Sequence, residues 1–385
     1  MSIYILSGSR TPIGSFMGQF STIKAPELGA VAIKGAAQKA DISLEQVEQV
    51  TMGLVVAAGV GQAPARQAFL FAGGPESVPA LTVNKVCGSG MMAVIQTAQA
   101  IASGDVQLAV AGGMENMSLA PHLLYMRTGA KYGPMDMQDS MQWDGLWDVY
   151  SNRAMGECAE ECAKKYNLSR EMQDEYAMSS FKRAQAAIAD GTFAREITSV
   201  VKKEKGKEVV VGTDEGPSKA NFEKMPTLKP AFQKDGTITA ANASTINDGA
   251  AALVLGGEKY KSKAKFKILA YASHAQNPTW FTTAPIEAMK KCSAKAGIPL
   301  EKIGLYEINE AFAVVALSAI QELKLNRDRV NVYGSGISLG HPIGASGARI
   351  LVTLMNGLNA RGEKYGMASL CIGGGEALAM LIERI

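Results

Sequence analysis

Apolar and polar positions along the chain switch repeatedly between two periods. Short runs with strand character, such as Ile3 to Leu6 and Val50 to Val56, alternate with helical stretches such as the alanine-rich segment near residues 26 to 40. After Cys87, the positions Met91, Met92, Val94, Ile95, Ala98 and Ile101 leave no polar stripe, and Gly104 marks the end of that helix. Alternating strands and helices predict sheets covered by helices. A helix apolar on every side predicts a helical layer between two sheets.

The pattern also repeats. KADISLEQV at 39–47 matches KAGIPLEKI at 295–303, pairing Lys39 with Lys295, Ile42 with Ile298 and Glu45 with Glu301. In the same order and at nearly constant spacing, Ser89-Gly90 matches Ser346-Gly347, and the run Gly112 to Glu115 matches Gly373 to Glu376. Three ordered matches predict a duplication. From 119 to 240 the composition turns Met-rich, Gly-punctuated and charged, with helical stretches near 153–166 and 170–189. An inserted lobe is expected there, and insertions on one face of a core often receive the larger part of a substrate. The expected division is 1–118 for the first half, 119–240 for the insertion, 241–261 completing the first half, and 262–385 for the second half.

Composition narrows the class. A chain of 385 residues exceeds what one core usually serves, and 47% hydrophobic with 19% charged residues is ordinary for a soluble globular protein. A formal charge of +3 gives no argument for nucleic acid or a membrane surface, although it suits an anionic small molecule. No apolar run reaches the ~18 residues of a membrane span. Five cysteines, with no secretory leader recognised at the start, predict free thiols in a reducing, cytoplasmic compartment. Cys158 and Cys162 stand one helical turn apart, but no further Cys or His completes a zinc set. The alternating Lys259, Lys261, Lys263, Lys265 and Lys267 are expected on one face of a solvated edge strand, and the Lys202 to Lys207 cluster on a hairpin.

Candidate chemistry gathers at two cysteines and one of three histidines. Cys87 precedes Gly-Ser-Gly and a helix, so its sulfur is expected at the positive helix end, where thiol pKa values fall. An unshifted thiol would be only about 3% thiolate at pH 7, so placement and a nearby base matter. His341, held at a turn in SLGHPIGASG, could be that base and could donate to a substrate oxygen. Cys371 ends an apolar strand and opens Gly373-Gly374-Gly375, which permits close backbone approach and an amide-lined anion hole. Asn309 stands at a strand-to-helix transition. Each has a plainer reading: Cys87 and Cys371 as buried inert thiols, His341 as a capping or core residue, Asn309 as a helix N-cap. A thiol nucleophile, an imidazole and a second thiol are what making or cleaving a carbon–carbon bond beside a thioester requires.

RTPIGSFMGQFS near the start, NKVCGSG around Cys87, GGMENMS at 112–118, NASTINDGAA at 242–251, NEAF at 309–312, GHPIGASG at 340–347 and CIGGGEA at 371–377, taken in that order, resemble the thiolase family. The resemblance implies an α/β fold with a five-layer α-β-α-β-α core from two duplicated halves, plus an inserted loop domain that receives coenzyme A. It implies that Cys87 takes an acetyl group from acetyl-CoA with His341 as activator. Cys371 then removes an α-proton from a second acetyl-CoA, and the product is acetoacetyl-CoA. One oxyanion site would use His341 and a water held by Asn309; the other would use the amides of Cys87 and Gly373. Ser244, Met155 and Lys219 are the implied contacts of coenzyme A, which is a substrate and not a permanently bound cofactor. APHLLYMRTGAKYGPMDMQDSM resembles the loop joining two dimers in tetrameric short-chain members, so acetyl-CoA acetyltransferase is favoured, with a broad-range 3-ketoacyl-CoA thiolase as the alternative.

Departures from that pattern are Ala154 where short-chain members have histidine, Ser218 for arginine, Tyr333 and Ser335 for asparagine and a small residue, and Glu376 for glutamine. A dinucleotide-dependent dehydrogenase would need G-x-G-x-x-G opening a helix, which GSGISLG does not continue into. A non-catalytic acyl-CoA-binding protein would have no use for both thiols. Decarboxylating condensing enzymes of the same fold lack the second cysteine.

Overall fold

The computed structural model describes residues 2–385. Its ten-stranded sheet contains β1 (Ile3–Arg10), β2 (Gln49–Gly53), β3 (Ala80–Val83), β4 (Leu108–Asn116), β5 (Asn247–Gly256), β6 (Phe266–Ala275), β7 (Leu305–Ile308), β8 (Tyr365–Ile372) and β9 (Glu376–Arg384), with the two-residue strand Gly14–Ser15 as a tenth, paired to the start of β5. The principal helices are α1 (Ala25–Ala40), α2 (Pro64–Phe71), α3 (Ser89–Ser103), α4 (Met155–Lys165), α5 (Arg170–Ala189), α6 (Ala284–Ala296), α7 (Ala313–Leu323) and α8 (Ile343–Arg361).

The sheet order is β7, β8, β9, β6, β1, β5, β4, β2, β3, and it displays the duplication. Outward from β1 run β5, β4 and β2; outward from β6 run β9, β8 and β7. In each series the first two pairings are antiparallel and the last is parallel. Each series also carries a register shift at the same place, Ile5/Ser7 on β1 and Ile268/Ala270 on β6. Lys39 and Lys295, matched in the sequence repeat, both fall in the last turn of a helix, α1 and α6. The two expected sheets are hydrogen-bonded into one, because Ile3, Tyr4 and Ile5 pair antiparallel with Ile268, Lys267 and Phe266.

Period-two alternation sorts the side chains into layers. On β4, Leu108 and Val110 pack into the core shared with α1 and α2, whereas Ala109 and Ala111 pack with α3 and α8. On β9, Ala379 and Leu381 join the core of α6 and α7, whereas Leu378, Met380 and Ile382 face α3 and α8. Five layers result, with α3 and α8 as the buried middle. Met91, Val94, Ile95, Ala98 and Ile101 are all buried there, at roughly 1.5–3 kcal/mol for each large side chain. Helix α3 ends at Gly104 in the left-handed conformation, as its sequence predicts.

The middle layer depends on two glycines. A Cβ on Gly90 of α3 would stand 2.8 Å from the amide nitrogen of Ala348, and one on Gly347 of α8 would stand 2.4 Å from that of Met91. These are the glycines matched in the repeat. The central helices cross backbone against backbone at equivalent points.

Three expectations about local structure change. Glu258–Lys263 is a 3-10 helix supported by a Lys261–Glu258 pair at 3.6 Å, so Lys259, Lys261 and Lys263 do not share a strand face. The run from Val50 to Val56 leaves the sheet after Gly53, because the amides of Val55 and Val56 donate to Glu115 instead of a neighbouring strand. Asn309 is no N-cap, since α7 begins only at Ala313. The basic cluster at Lys202 does form a hairpin, Val200–Glu204 against Lys207–Val211. Among the described residues no helix is long and apolar enough to cross a membrane, and no group of metal-ligating side chains occurs.

Gly347→Ala should destabilise the protein by about 1–3 kcal/mol or more, because backbone and not a flexible side chain occupies the space. Thermal melting would show a lower midpoint for Gly347→Ala and Gly90→Ala, with exposed Lys34→Ala within about 0.5 kcal/mol of the parent. Equal midpoints for all three would contradict the close helix crossing.

Candidate active site

A cavity of about 260 Å³ opens where the N-terminal ends of α3 and α8 meet the C-terminal end of β8. Its wall includes Cys87, His341, Cys371, Gly373, Ser244 and Met155, and much of the remainder is apolar, with Leu146, Phe232, Phe281 and Phe312.

Cys87 sits on the turn between β3 and α3. The preceding residue, Val86, has φ 45°, a region that costs a β-branched side chain about 1–3 kcal/mol. Ser89 secures the turn: its Oγ accepts from the amide of Lys85 at 2.8 Å and donates to the carbonyl of Val86 at 2.7 Å. Gly88 lets this turn lie on the neighbouring strand, since a Cβ there would be 2.4 Å from Ile372 Cδ1. Lys85 also pairs with Glu376, so the carboxylate that stands where a glutamine was expected ties the two thiol-bearing loops together.

Cys371 lies one residue from the end of β8, and the turn after it demands glycine. Gly374 and Gly375 have φ 90° and 84°, and a Cβ on Gly375 would stand 2.3 Å from the carbonyl of Gln276.

His341 follows Gly340, at φ 107°, and its amide donates to Asn247 Oδ1 at 2.9 Å. Its Nδ1 is 2.6 Å from Ser346 Oγ, which in turn is 2.9 Å from the carbonyl of Pro342. A carbonyl only accepts, so the single hydroxyl proton of Ser346 goes to Pro342 and Ser346 accepts from Nδ1–H. Nε2 is thereby left as the basic nitrogen. Burial, with the Arg349 charge adding to it, pushes the imidazole down to about 3 and keeps it neutral.

Cys87 departs from expectation in its charge. Its sulfur touches the cavity but is otherwise surrounded by protein, and burial pushes the thiol up to about 11 against the amide of Gly373. Cys371 is likewise pushed well above the ordinary thiol range by burial, with Cys87 adding to it. At rest the site holds two neutral thiols and a neutral imidazole.

Asn309 lies behind His341, fully buried, with Nδ2 at 3.4 Å from each ring nitrogen. Its own amide donates to the carbonyl of Ser369 at 3.0 Å. Ser244 and Met155 reach the cavity as expected, and the Met155 methyl stands 3.7 Å from the Cβ position of Gly373. Lys219 is not brought there: it is exposed on the Pro217–Lys219 turn and pairs with Glu215 at 2.7 Å.

Sequence reasoning passed over Ser346 and Glu115. Glu115 is fully buried and accepts from the amides of Val55, Val56 and Gly344 at 3.1, 3.1 and 2.8 Å, joining β4 to the start of α8. Burial raises it to about 7 against those three donors. A carboxylate directly after the apolar and glycine run LAVAGGM was the available signal.

Comparison with known proteins places this geometry. The family described as "Thiolase, N-terminal domain" matches residues 3–259, and "Thiolase, C-terminal domain" matches 261–384. The mitochondrial acetyl-CoA acetyltransferase of Rattus norvegicus is 48% identical over 100% of this chain and 91% of its own length. A cytosolic acetyl-CoA acetyltransferase of Gibberella zeae is 47% identical over 100% of this chain and 98% of its own. The Acat5 thiolase from Ascaris suum, solved in complex with coenzyme A, superimposes with a TM-score of 0.95 at 42% identity and covers 100% of both chains. The chain belongs to the thiolase family.

Proposed function

We propose that the chain is an acetyl-CoA acetyltransferase, joining two acetyl-CoA molecules reversibly into acetoacetyl-CoA and coenzyme A. The observation that carries this reading is the convergence of two thiols and a neutral imidazole on one largely apolar cavity. His341 Nε2 takes the Cys87 proton as the sulfur attacks the acetyl carbonyl, and coenzyme A leaves as the thiol. Cys371 gives its proton to the departing coenzyme A sulfur, and the thiolate so formed removes an α-proton from the second acetyl-CoA; the carbanion attacks the acetylated Cys87, whose released sulfur takes back the proton held by His341. Thiolysis is the reverse sequence.

Neutral resting groups suit this division. Burial disfavours an isolated thiolate, so proton transfer accompanies bond formation to the substrate. The amides of Cys87 and Gly373 serve one oxyanion, and His341 with a water held by Asn309 serves the other. Ser244 and Met155 meet the pantetheine arm. Lys219 would reach a coenzyme phosphate only by leaving Glu215. The insertion, taken as residues 119–240, supplies Gly145, Leu146, Met155, Gly156 and Phe232 to the wall, which supports its role in receiving coenzyme A. Coenzyme A thioesters enter as substrates, and no permanently bound cofactor is required.

A homotetramer of two dimers accompanies this reading. The short strands His122–Leu123 and Gln138–Asp139 pair, and the segment between them exposes Leu124, Tyr125, Met126 and the fully exposed Tyr132. An apolar surface of that kind supports a subunit contact. The five cysteines are all free, which supports the cytoplasm as the compartment.

Purified protein should cleave acetoacetyl-CoA with coenzyme A much faster than a long-chain 3-ketoacyl-CoA at equal concentration. Comparable long-chain cleavage would favour the broad-range alternative, and activity on neither would sink the enzymatic reading. Cys87→Ser should abolish turnover while retaining coenzyme A binding; wild-type turnover in that variant would refute the mechanism. With the thiol held near 11, alkylation of Cys87 by iodoacetamide should accelerate about tenfold per pH unit between pH 7 and 9. The sign follows from the thiolate fraction, which keeps rising until the pH reaches the pKa. A rate already level at pH 8 would show a thiolate that burial does not suppress.

A further inference from the structure

Beneath Asn309 lies a buried cation that the reaction scheme leaves without a task. Arg349, in α8, is 1% exposed. Its Nη2 donates to Asn309 Oδ1 at 3.2 Å and to Ser335 Oγ at 3.0 Å. Its Nη1 stands 3.7 Å from Glu307 Oε2, an ion pair without a hydrogen bond. Among the described residues, Nη1 and Nε of the guanidinium and Oε2 of Glu307 have no hydrogen-bond partner.

This arrangement is poor as a device for stability. A buried ion pair roughly offsets its own desolvation only when geometry is good and the remaining donors are satisfied, and neither holds here. Glu307 is itself pushed well above the ordinary carboxylate range by burial, against the pull of Arg349. The guanidinium feels the charges of Glu307, Glu196 and Glu310, but its side-chain hydrogen bonds go to the amide of Asn309 and the hydroxyl of Ser335.

The contact with Asn309 has a direction. Arg349 has donors only, so it must face the carbonyl end of the amide, and the NH₂ end must face the other way, toward His341. A cation on an amide oxygen also polarises that amide and strengthens its N–H as a donor.

We propose that Arg349 is a positioning residue, which fixes the Asn309 amide with its NH₂ group directed toward His341 and strengthens that group as a donor at the active site. Ser335 holds the same guanidinium nitrogen from its other side, giving a role to a hydroxyl that stands where a small residue was expected. The inference rests on the assignment of Asn309 and His341 to one oxyanion site.

The test is a double-mutant cycle on the full-length enzyme, reading kcat and KM for thiolysis of acetoacetyl-CoA. Arg349→Met should lower kcat by about 10- to 100-fold, less than the loss of a direct oxyanion donor, with KM for coenzyme A within about twofold. Arg349→Lys, which keeps the charge and loses the fork, should recover part of that loss. In an Asn309→Ala background, Arg349→Met should cause no further loss of kcat. Because Arg349→Met strands Glu307, the pair Arg349→Met with Glu307→Gln is measured alongside, with thermal midpoints for every variant. Wild-type kcat in that pair, or an equal loss from Arg349→Met with and without Asn309, overturns the inference while leaving the mechanism intact. An unaffected kcat in Asn309→Ala overturns the oxyanion assignment itself, and the inference with it.

Discussion

The backbone crossing of α3 and α8 is the constraint on which the rest of the structure depends. Because Gly90 and Gly347 have no side chains, the two helices meet near their N-terminal ends, inside the molecule. The turns that feed those helices carry Cys87 and His341, so one close approach brings nucleophile and base to the same cavity from opposite halves of the chain. Bulk at either glycine would separate the helix starts, and the chemistry would be lost with the packing.

Duplication supplied paired parts, and the two halves have put them to different uses. Ser89 and Ser346 are repeat equivalents, each in the first turn of a central helix. Ser89 closes the strained turn at Val86 and so aims Cys87; Ser346 accepts from His341 Nδ1 and so sets the tautomer of the base. The paired glycine runs diverge likewise. Gly112 and Gly113 lie within β4, where Gly344 packs against the strand, whereas Gly373 to Gly375 turn the chain beside Cys371. One supersecondary unit, used twice, provides both a rigid floor and a reactive rim.

Much of this was legible in the amino-acid order, for identifiable reasons. The largely apolar character of α3 foretold a helix buried nearly all round, and the glycines after Cys371 foretold the close backbone approach seen where Gly375 meets the carbonyl of Gln276. Joining of the two sheets was not legible, because pairing of Ile3–Ile5 with Phe266–Ile268 is a long-range edge contact with no local signal. The Cys87 thiol stands above its ordinary range where a helix end alone predicts a fall: a helix end is visible in sequence, whereas desolvation depends on what the whole fold packs around the sulfur. Ser346 and Glu115 are legible in sequence only as members of the repeat, and Arg349 not at all, because their importance lies in which atoms they face.

The central claim is that Cys87 receives the acetyl group and Cys371 removes the α-proton of the second substrate. Intact-protein and peptide mass spectrometry of Cys371→Ala after incubation with acetyl-CoA tests it most directly. The account predicts one stable acetyl group per subunit, confined to the peptide containing Cys87, with no acetoacetyl-CoA formed. An unmodified Cys87, or an acetyl group carried on another residue, would contradict it.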